Sequence, residues 1–106
     1  MVIEVLYSRE IEFFLNDLVD VLFYKDYFSY LENAENYVFD LKEEIESSIS
    51  SYIHFNSPKK FHKYGSYYII VSISKSTSWY VFFDKKDNRY LIQYITNNHL
   101  EESKNL

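Results

Sequence analysis

The chain has no cysteine and only one glycine and one proline among its 106 residues. The absence of cysteine excludes disulfides, thiolate metal sites and cysteine nucleophiles. With Gly65 as its only glycine, the chain has neither a glycine-rich phosphate-binding loop nor a Gly-x-Ser-x-Gly nucleophile elbow. Nucleotide-binding and serine-hydrolase classes are therefore disfavoured from composition alone.

Long apolar runs are also missing. No stretch approaches the roughly 18 apolar residues that are needed to span a bilayer, and an acid at Glu4 interrupts the apolar N-terminus where a signal peptide would be basic. We therefore predict a cytoplasmic protein. The length leaves room for a single hydrophobic core, so residues 1–106 are predicted to form one domain, with a mobile C-terminal tail over residues 101–106.

Aromatic residues are abundant, and the charges are unevenly distributed. Residues 1–53 carry twelve acids and three bases, whereas residues 54–106 carry four acids and eight bases. A local basic patch is what a protein needs to meet polyphosphate, and the second half of the chain could supply one. The alternative is that these lysines only keep turns and edge strands solvated.

The first half of the sequence predicts a strand followed by two helices. Val2 to Tyr7 is short and apolar, and Ser8 is a good N-cap for the helix that follows. Apolar residues then recur at helical spacing from Ile11 to Phe23, and again from Ala34 to Ile53. Asn33 is a candidate N-cap for the second helix, which should end between Ser50 and Ser57 because Pro58 cannot continue it. The predicted core includes Leu15, Leu18, Leu22, Val38, Leu41, Ile45, Val81 and Ile92.

From Tyr67 onward the apolar period changes to two, which indicates strands. Tyr67 to Ser74, Ser78 to Asp84 and Arg89 to Thr96 predict a three-stranded antiparallel meander, and Lys60 to Tyr64 a further short strand. The predicted class is therefore α+β: an N-terminal strand and a two-helix hairpin packed on a three- to four-stranded antiparallel sheet.

Both faces of the predicted strands are apolar. In the second strand of the meander, Trp79, Val81 and Phe83 alternate with Tyr80 and Phe82. A helix hairpin covers only one face of a sheet. The other face would be partly wetted tyrosine, a platform for stacked bases, or a surface for another protein, including a second copy of the chain.

The histidine, tyrosine and basic residues of the second half of the chain are compatible with metal-free acid–base chemistry. The three histidines, His54, His62 and His99, lack the spacing of a metal site, and no cofactor is predicted. Cleavage of RNA through its 2′-hydroxyl needs a base, an acid and cations around the phosphate. His99, Tyr94 and Arg89 are the candidate catalytic residues. Alternatively, His99 closes the last strand through hydrogen bonds. Candidate phosphate-binding residues are Lys60, His62 and Lys63.

Several short motifs carry a resemblance to a known family. The order strand–helix–helix–meander, the segment Pro58 to Gly65 before the meander, Ser78-Trp-Tyr-Val-Phe-Phe83 and Tyr94-Ile-Thr-Asn-Asn-His99 together resemble the RelE/ParE superfamily of bacterial toxins. The resemblance implies a RelE-like fold and a small antitoxin as partner. It also implies either cleavage of mRNA on the ribosome or inhibition of gyrase. By the pattern of the nuclease members, the site residues would be Lys63, Arg89, Tyr94 and His99.

Two functions are therefore predicted side by side. The first is a toxin that acts as a metal-independent, ribosome-dependent mRNA endonuclease. The second is a catalytically inactive module that binds an antitoxin or another protein. The pI of about 5.1 favours the second, because missing cations weaken binding to RNA. Convergence of Arg89, Tyr94 and His99 on one concave surface would favour the first.

Overall fold

The computed structural model describes residues 2–24, 31–73, 77–104 and 106. They form an α+β fold in which two helices pack on one face of a five-stranded mixed sheet. No described helix is long and apolar enough to cross a membrane. In chain order the elements are β1 (Glu4–Tyr7), α1 (Arg9–Tyr24), α2 (Leu31–Ser48), β2 (Phe55–Asn56), a first 3-10 helix (Lys59–Tyr64), β3 (Tyr67–Val71), β4 (Trp79–Lys86), β5 (Arg89–Asn97) and a second 3-10 helix (Glu101–Ser103).

Helix α1 begins as its sequence predicts. The Ser8 hydroxyl accepts the backbone N–H of Ile11 at 3.3 Å, which satisfies one of the free donors of the first turn. Helix α2 begins at Leu31, two residues before the predicted cap Asn33, and ends at Ser48 rather than after Ser50. The side chain of Leu22, a predicted core residue, lies outside the described part of the structure.

The sheet has the order β1-β5-β4-β3-β2, and β1 runs parallel to β5. The three-stranded meander is present as β3, β4 and β5. The prediction of a three- to four-stranded antiparallel sheet is incomplete in two respects. Strand β1 joins the meander directly through a parallel pairing with β5. The two-residue strand β2 pairs with β3, and β2 is too short for an alternation of apolar residues to predict it.

Strand β1 is much shorter than its neighbour β5. Its four residues pair with residues 89–92, and the Ser8 N–H bonds to the Ile92 carbonyl at 2.9 Å. There Ser8 caps α1 and the chain leaves the sheet. Within the described part of the chain, residues 93–97 of β5 thus have a strand neighbour on one side only, which is β4.

A β-bulge interrupts the pairing of β5 with β4. Phe82 pairs with Tyr94 and Phe83 with Ile92, so Gln93 is an extra residue on β5. Because one added residue reverses the alternation of side chains, Ile92 and Ile95 both belong to the core beneath the helices. The bulge lies next to the position where β1 ends.

The main core fills the space between the helices and the sheet, as the apolar stripes predict. Leu41, Ile45, Val81 and Phe83 have no exposed surface, and Leu15, Leu18, Val38 and Ile92 are also buried. The Trp79 indole N–H donates to the Tyr37 hydroxyl at 2.9 Å, so the one polar atom of this large ring is paired across the core.

A second core covers the opposite face of the sheet, which the sequence left open. Residues 59–64 form a 3-10 helix rather than the predicted short strand Lys60 to Tyr64. This helix stacks the Phe61 ring on the Phe82 ring, with the ring centres 4.7 Å apart. Tyr68 and Tyr80 are also buried there. The prediction of an uncovered aromatic face is therefore wrong for β3 and β4, and this face gives no support to a homodimer.

The C-terminal tail contributes to the same side of the sheet. Glu102 accepts hydrogen bonds from Tyr94 and Thr96, and the buried Ser103 hydroxyl bonds to the Asn97 carbonyl at 2.7 Å. Leu106 packs against the second core. Through these contacts Glu102, Ser103 and Leu106 pack against the sheet, and the expected mobility of residues 101–106 stays a prediction.

Gly65 joins the first 3-10 helix to β3 at a point of close approach. Its φ of +134° is rarely adopted by residues with a side chain, and an added Cβ would lie 2.5 Å from the carbonyl carbon and oxygen of Phe83. Only glycine fits this position without movement of the central strand β4. The close approach is what brings the 3-10 helix down onto the second core.

Candidate functional site

The three predicted catalytic residues lie at different places along β5. Arg89 is its first residue, Tyr94 lies past its middle, and His99 follows its last residue by two positions. At a rise of about 3.3 Å per residue, the strand alone separates Arg89 from Asn97 by roughly 26 Å. The structure therefore does not bring Arg89 and His99 together.

Arg89 and His99 are each engaged locally. Arg89 forms a solvent-exposed ion pair with Glu4 of the neighbouring strand, 3.5 Å between Nε and Oε1. The His99 ring lies 3.1 Å from the Thr77 hydroxyl, and its backbone N–H donates to the Asn97 side chain at 2.9 Å. These contacts match the alternative in which His99 closes the end of the strand.

Tyr94 is held by the C-terminal tail. Its hydroxyl donates to Glu102 Oε1 at 2.6 Å, and the Thr96 hydroxyl donates to the same oxygen at 2.8 Å. Burial raises the pKa of Tyr94 well above its ordinary value of 10, and the hydrogen bond and negative charge of Glu102 raise it further. Tyr94 therefore keeps its proton throughout the physiological range, and this proton is already shared with Glu102.

The predicted phosphate-binding residues lie on the first 3-10 helix. Lys63 lies over the Tyr64 ring, 5.0 Å from its centre, and Tyr64 stacks on Tyr94 with ring centres 4.0 Å apart. Of the predicted site residues, the structure thus brings Lys63 and Tyr94 together, through Tyr64. Lys60 lies over Phe61, and His62 borders a separate depression with Tyr67.

A groove that the sequence did not predict runs along the free side of residues 93–97. Helix α1 forms one wall and the segment from Gln93 to Asn97 the floor, while Tyr64 and Leu100 close the other side. Its volume is about 720 Å³. Val21 and Leu100 are 42% and 50% exposed, so the groove keeps apolar surface in contact with water. A cavity of this size and lining is typical of a binding site.

An acidic side chain lines the α1 side of the groove. Glu10 lines it directly, and Asp17 lies two turns further along α1 on the same helical stripe as Glu10, Phe14 and Val21. Opposite, Lys63 neighbours the Tyr64 wall. The α1 wall therefore presents negative charge to whatever enters the groove.

Two further observations bear on the kind of site. In the described part of the chain, no group of three or more histidine, aspartate or glutamate side chains could hold a metal ion. A comparison of this chain with protein-family models, with curated proteins and with solved structures finds no match. The geometry of the described residues offers a wide apolar groove with an acidic wall.

Proposed function

We propose that this protein is a binding module that takes up another protein in the groove between α1 and residues 93–97 of β5. The groove is the observation that carries this proposal. It combines about 720 Å³ of space with the exposed apolar side chains of Val21 and Leu100 at its rim. Exposed apolar surface of this kind marks interaction sites in proteins that otherwise bury it.

The positions of the predicted catalytic residues support binding over catalysis. Acid–base catalysis needs its groups within hydrogen-bonding reach of one reacting centre. Arg89 begins the nine-residue strand β5, and His99 lies two positions beyond its other end. The resemblance to the RelE/ParE superfamily extends the proposal to the partner, which would be a small antitoxin-like protein in a toxin–antitoxin pair.

Co-expression with the product of an adjacent small reading frame tests this function. We expect a stable complex in sedimentation, and we expect Val21→Lys to weaken it because the lysine puts charge on the apolar wall. Phe13→Lys is the matched control, since Phe13 is an exposed apolar residue of the same helix that does not line the groove. Equal binding by the two variants would show that the groove is not the binding surface.

The endoribonuclease remains a second candidate because of one feature. Lys63 and the stacked rings of Tyr64 and Tyr94 combine a cation with flat aromatic surfaces, which suits a single-stranded nucleic acid. On this reading, expression of the chain alone arrests growth and cleaves translated mRNA, and His99→Ala and Arg89→Ala each relieve the arrest. A harmless wild-type chain, or full toxicity of both variants, would contradict the catalytic assignment.

A further inference from the structure

The free edge of β5 specifies how a partner would bind. Residues 93–97 have β4 on one side, and no described strand lies on the other, where the groove runs. Backbone N–H and C=O groups at a sheet edge need water or a partner, and an edge strand is a template for pairing with another chain. Here that edge forms the floor of an apolar groove.

The direction of the peptide groups follows from the pairing. Ile92 turns its carbonyl to β1, where it accepts the Ser8 N–H, and its side chain points to the main core. On a strand, residues whose side chains share a face turn their peptide groups to the same edge. Ile95 also belongs to the main core, so its N–H and C=O point into the groove. The N–H of Asn97 points the same way, while its carbonyl is taken by the tail.

We propose, on the basis of the binding function above, that the groove takes an extended peptide segment of a partner as an added β-strand beside residues 93–97. Backbone hydrogen bonds to Ile95 and Asn97 hold this segment in register. Its alternate side chains contact Phe14 and Val21 on one face, and Tyr64 and Leu100 on the other.

The charge at the groove indicates which side chains the bound segment carries. Glu10 lines the α1 wall, and Asp17 lies further along the same helical stripe, so lysine or arginine side chains of the segment are attracted to this wall. A second copy of this chain would bring its own acidic α1 to the same place, where like charges repel. The occupant is therefore a strand-forming segment with alternating apolar residues and basic residues on the side toward α1.

A phage-displayed library of random twelve-residue peptides, selected on the intact protein, tests this inference. We expect selected peptides to alternate apolar and polar residues and to be enriched in lysine and arginine. Binding of the synthesised best peptide should slow hydrogen exchange at the Ile95 and Asn97 amides by about tenfold or more. Methylation of the peptide nitrogens that face β5 should weaken binding about tenfold or more, whereas methylation of the alternate nitrogens should not.

Two acidic residues in the first turn of α1 provide a matched pair for the charge assignment. Glu10 and Glu12 are both exposed, but only Glu10 lines this groove. Both reversals to lysine act against the helix dipole in the first turn of α1, so peptide binding is compared between two variants with the same kind of charge change. We expect Glu10→Lys to weaken peptide binding by about three- to tenfold and Glu12→Lys to leave it unchanged.

The other outcomes separate this inference from the binding function. Selected peptides that need Val21 but have helical spacing, and that leave the Ile95 amide unprotected, would refute strand addition and leave the groove as a binding site. Failure to select any peptide that Val21→Lys abolishes would refute both. A concentration-dependent dimer that protects the same amides without peptide would replace the basic partner with a second copy.

Discussion

Gly65→Ala tests the close approach that brings the first 3-10 helix onto the second core. The substitution places a Cβ 2.5 Å from the Phe83 carbonyl carbon and oxygen, where ordinary contacts need about 1 Å more. Phe83 belongs to β4, which is paired on both sides, by β3 and by β5. The strand therefore has little freedom to move away, and the connection at Gly65 has to change instead.

The expected magnitude follows from two costs and one gain. Backbone strain at a φ of +134° costs about 1–3 kcal/mol, and overpacking against a fixed backbone costs about another 1–3 kcal/mol. Loss of glycine freedom in the unfolded chain returns about 0.4–1 kcal/mol. The net loss of roughly 1–5 kcal/mol is a substantial part of a typical unfolding free energy of about 5–15 kcal/mol.

Urea unfolding followed by tryptophan fluorescence measures this loss. The probe is Trp79, the only tryptophan, which is buried in the main core. We expect the midpoint for Gly65→Ala to fall by roughly 1–3 M. Ser66→Ala is the control: this exposed residue bonds to Asp84 through its backbone N–H alone, so its loss should stay within about 0.5 kcal/mol. A Gly65→Ala protein as stable as the wild type would refute the close approach.

Two further predictions concern the main core and the tail. Leu18→Ala should cost about 2–5 kcal/mol in urea unfolding because Leu18 is buried between α1 and the sheet, whereas a loss below about 1 kcal/mol would mean that α1 does not pack there. Because the pKa of Tyr94 is raised in the folded state, its contribution to stability is complete below about pH 10 and is lost as the pH rises above that value. Tyr94→Phe should therefore make the fall in stability at alkaline pH shallower. The change in slope should be less than the limit of about 1.4 kcal/mol per pH unit for one group, because Tyr94 is partly exposed. An unchanged slope would contradict the raised pKa of Tyr94.

The elements that depend on local periodicity were predictable from the sequence. Trp79, Val81 and Phe83 belong to one core, and Tyr80 and Phe82 to the other, as their alternation indicates. The spacing of β5 also contains a signal of the bulge. Ile92 and Ile95 are three residues apart, which a regular strand places on opposite faces, so a bulge is needed if both are to be buried.

The second core was not predictable by the same means. Residues 59–64 are basic and aromatic, and a run of six such residues fits a short strand as well as a 3-10 turn. The position of Phe61 depends on contact with Phe82, more than twenty residues away, and on the close approach at Gly65. Such long-range contacts produce no periodic pattern in the sequence. The sheet face opposite the helices was therefore predicted to be uncovered.

The candidate groove exists because the chain begins helix α1 directly after Ser8 instead of continuing strand β1. As a strand residue, Ser8 would continue beside residues 93–97 and close the edge of β5. Its hydroxyl instead caps α1, and its carbonyl accepts the N–H groups of Ile11 and Glu12 in the first turn of the helix. The acceptor that would have extended the parallel pairing is thus used by the helix. The same local preference of serine that starts α1 therefore leaves the Ile95 peptide groups without a strand neighbour on the groove side, among the residues that the structure describes, and places the acidic wall of α1 beside them. In this fold the candidate binding edge is a direct consequence of where the first helix begins.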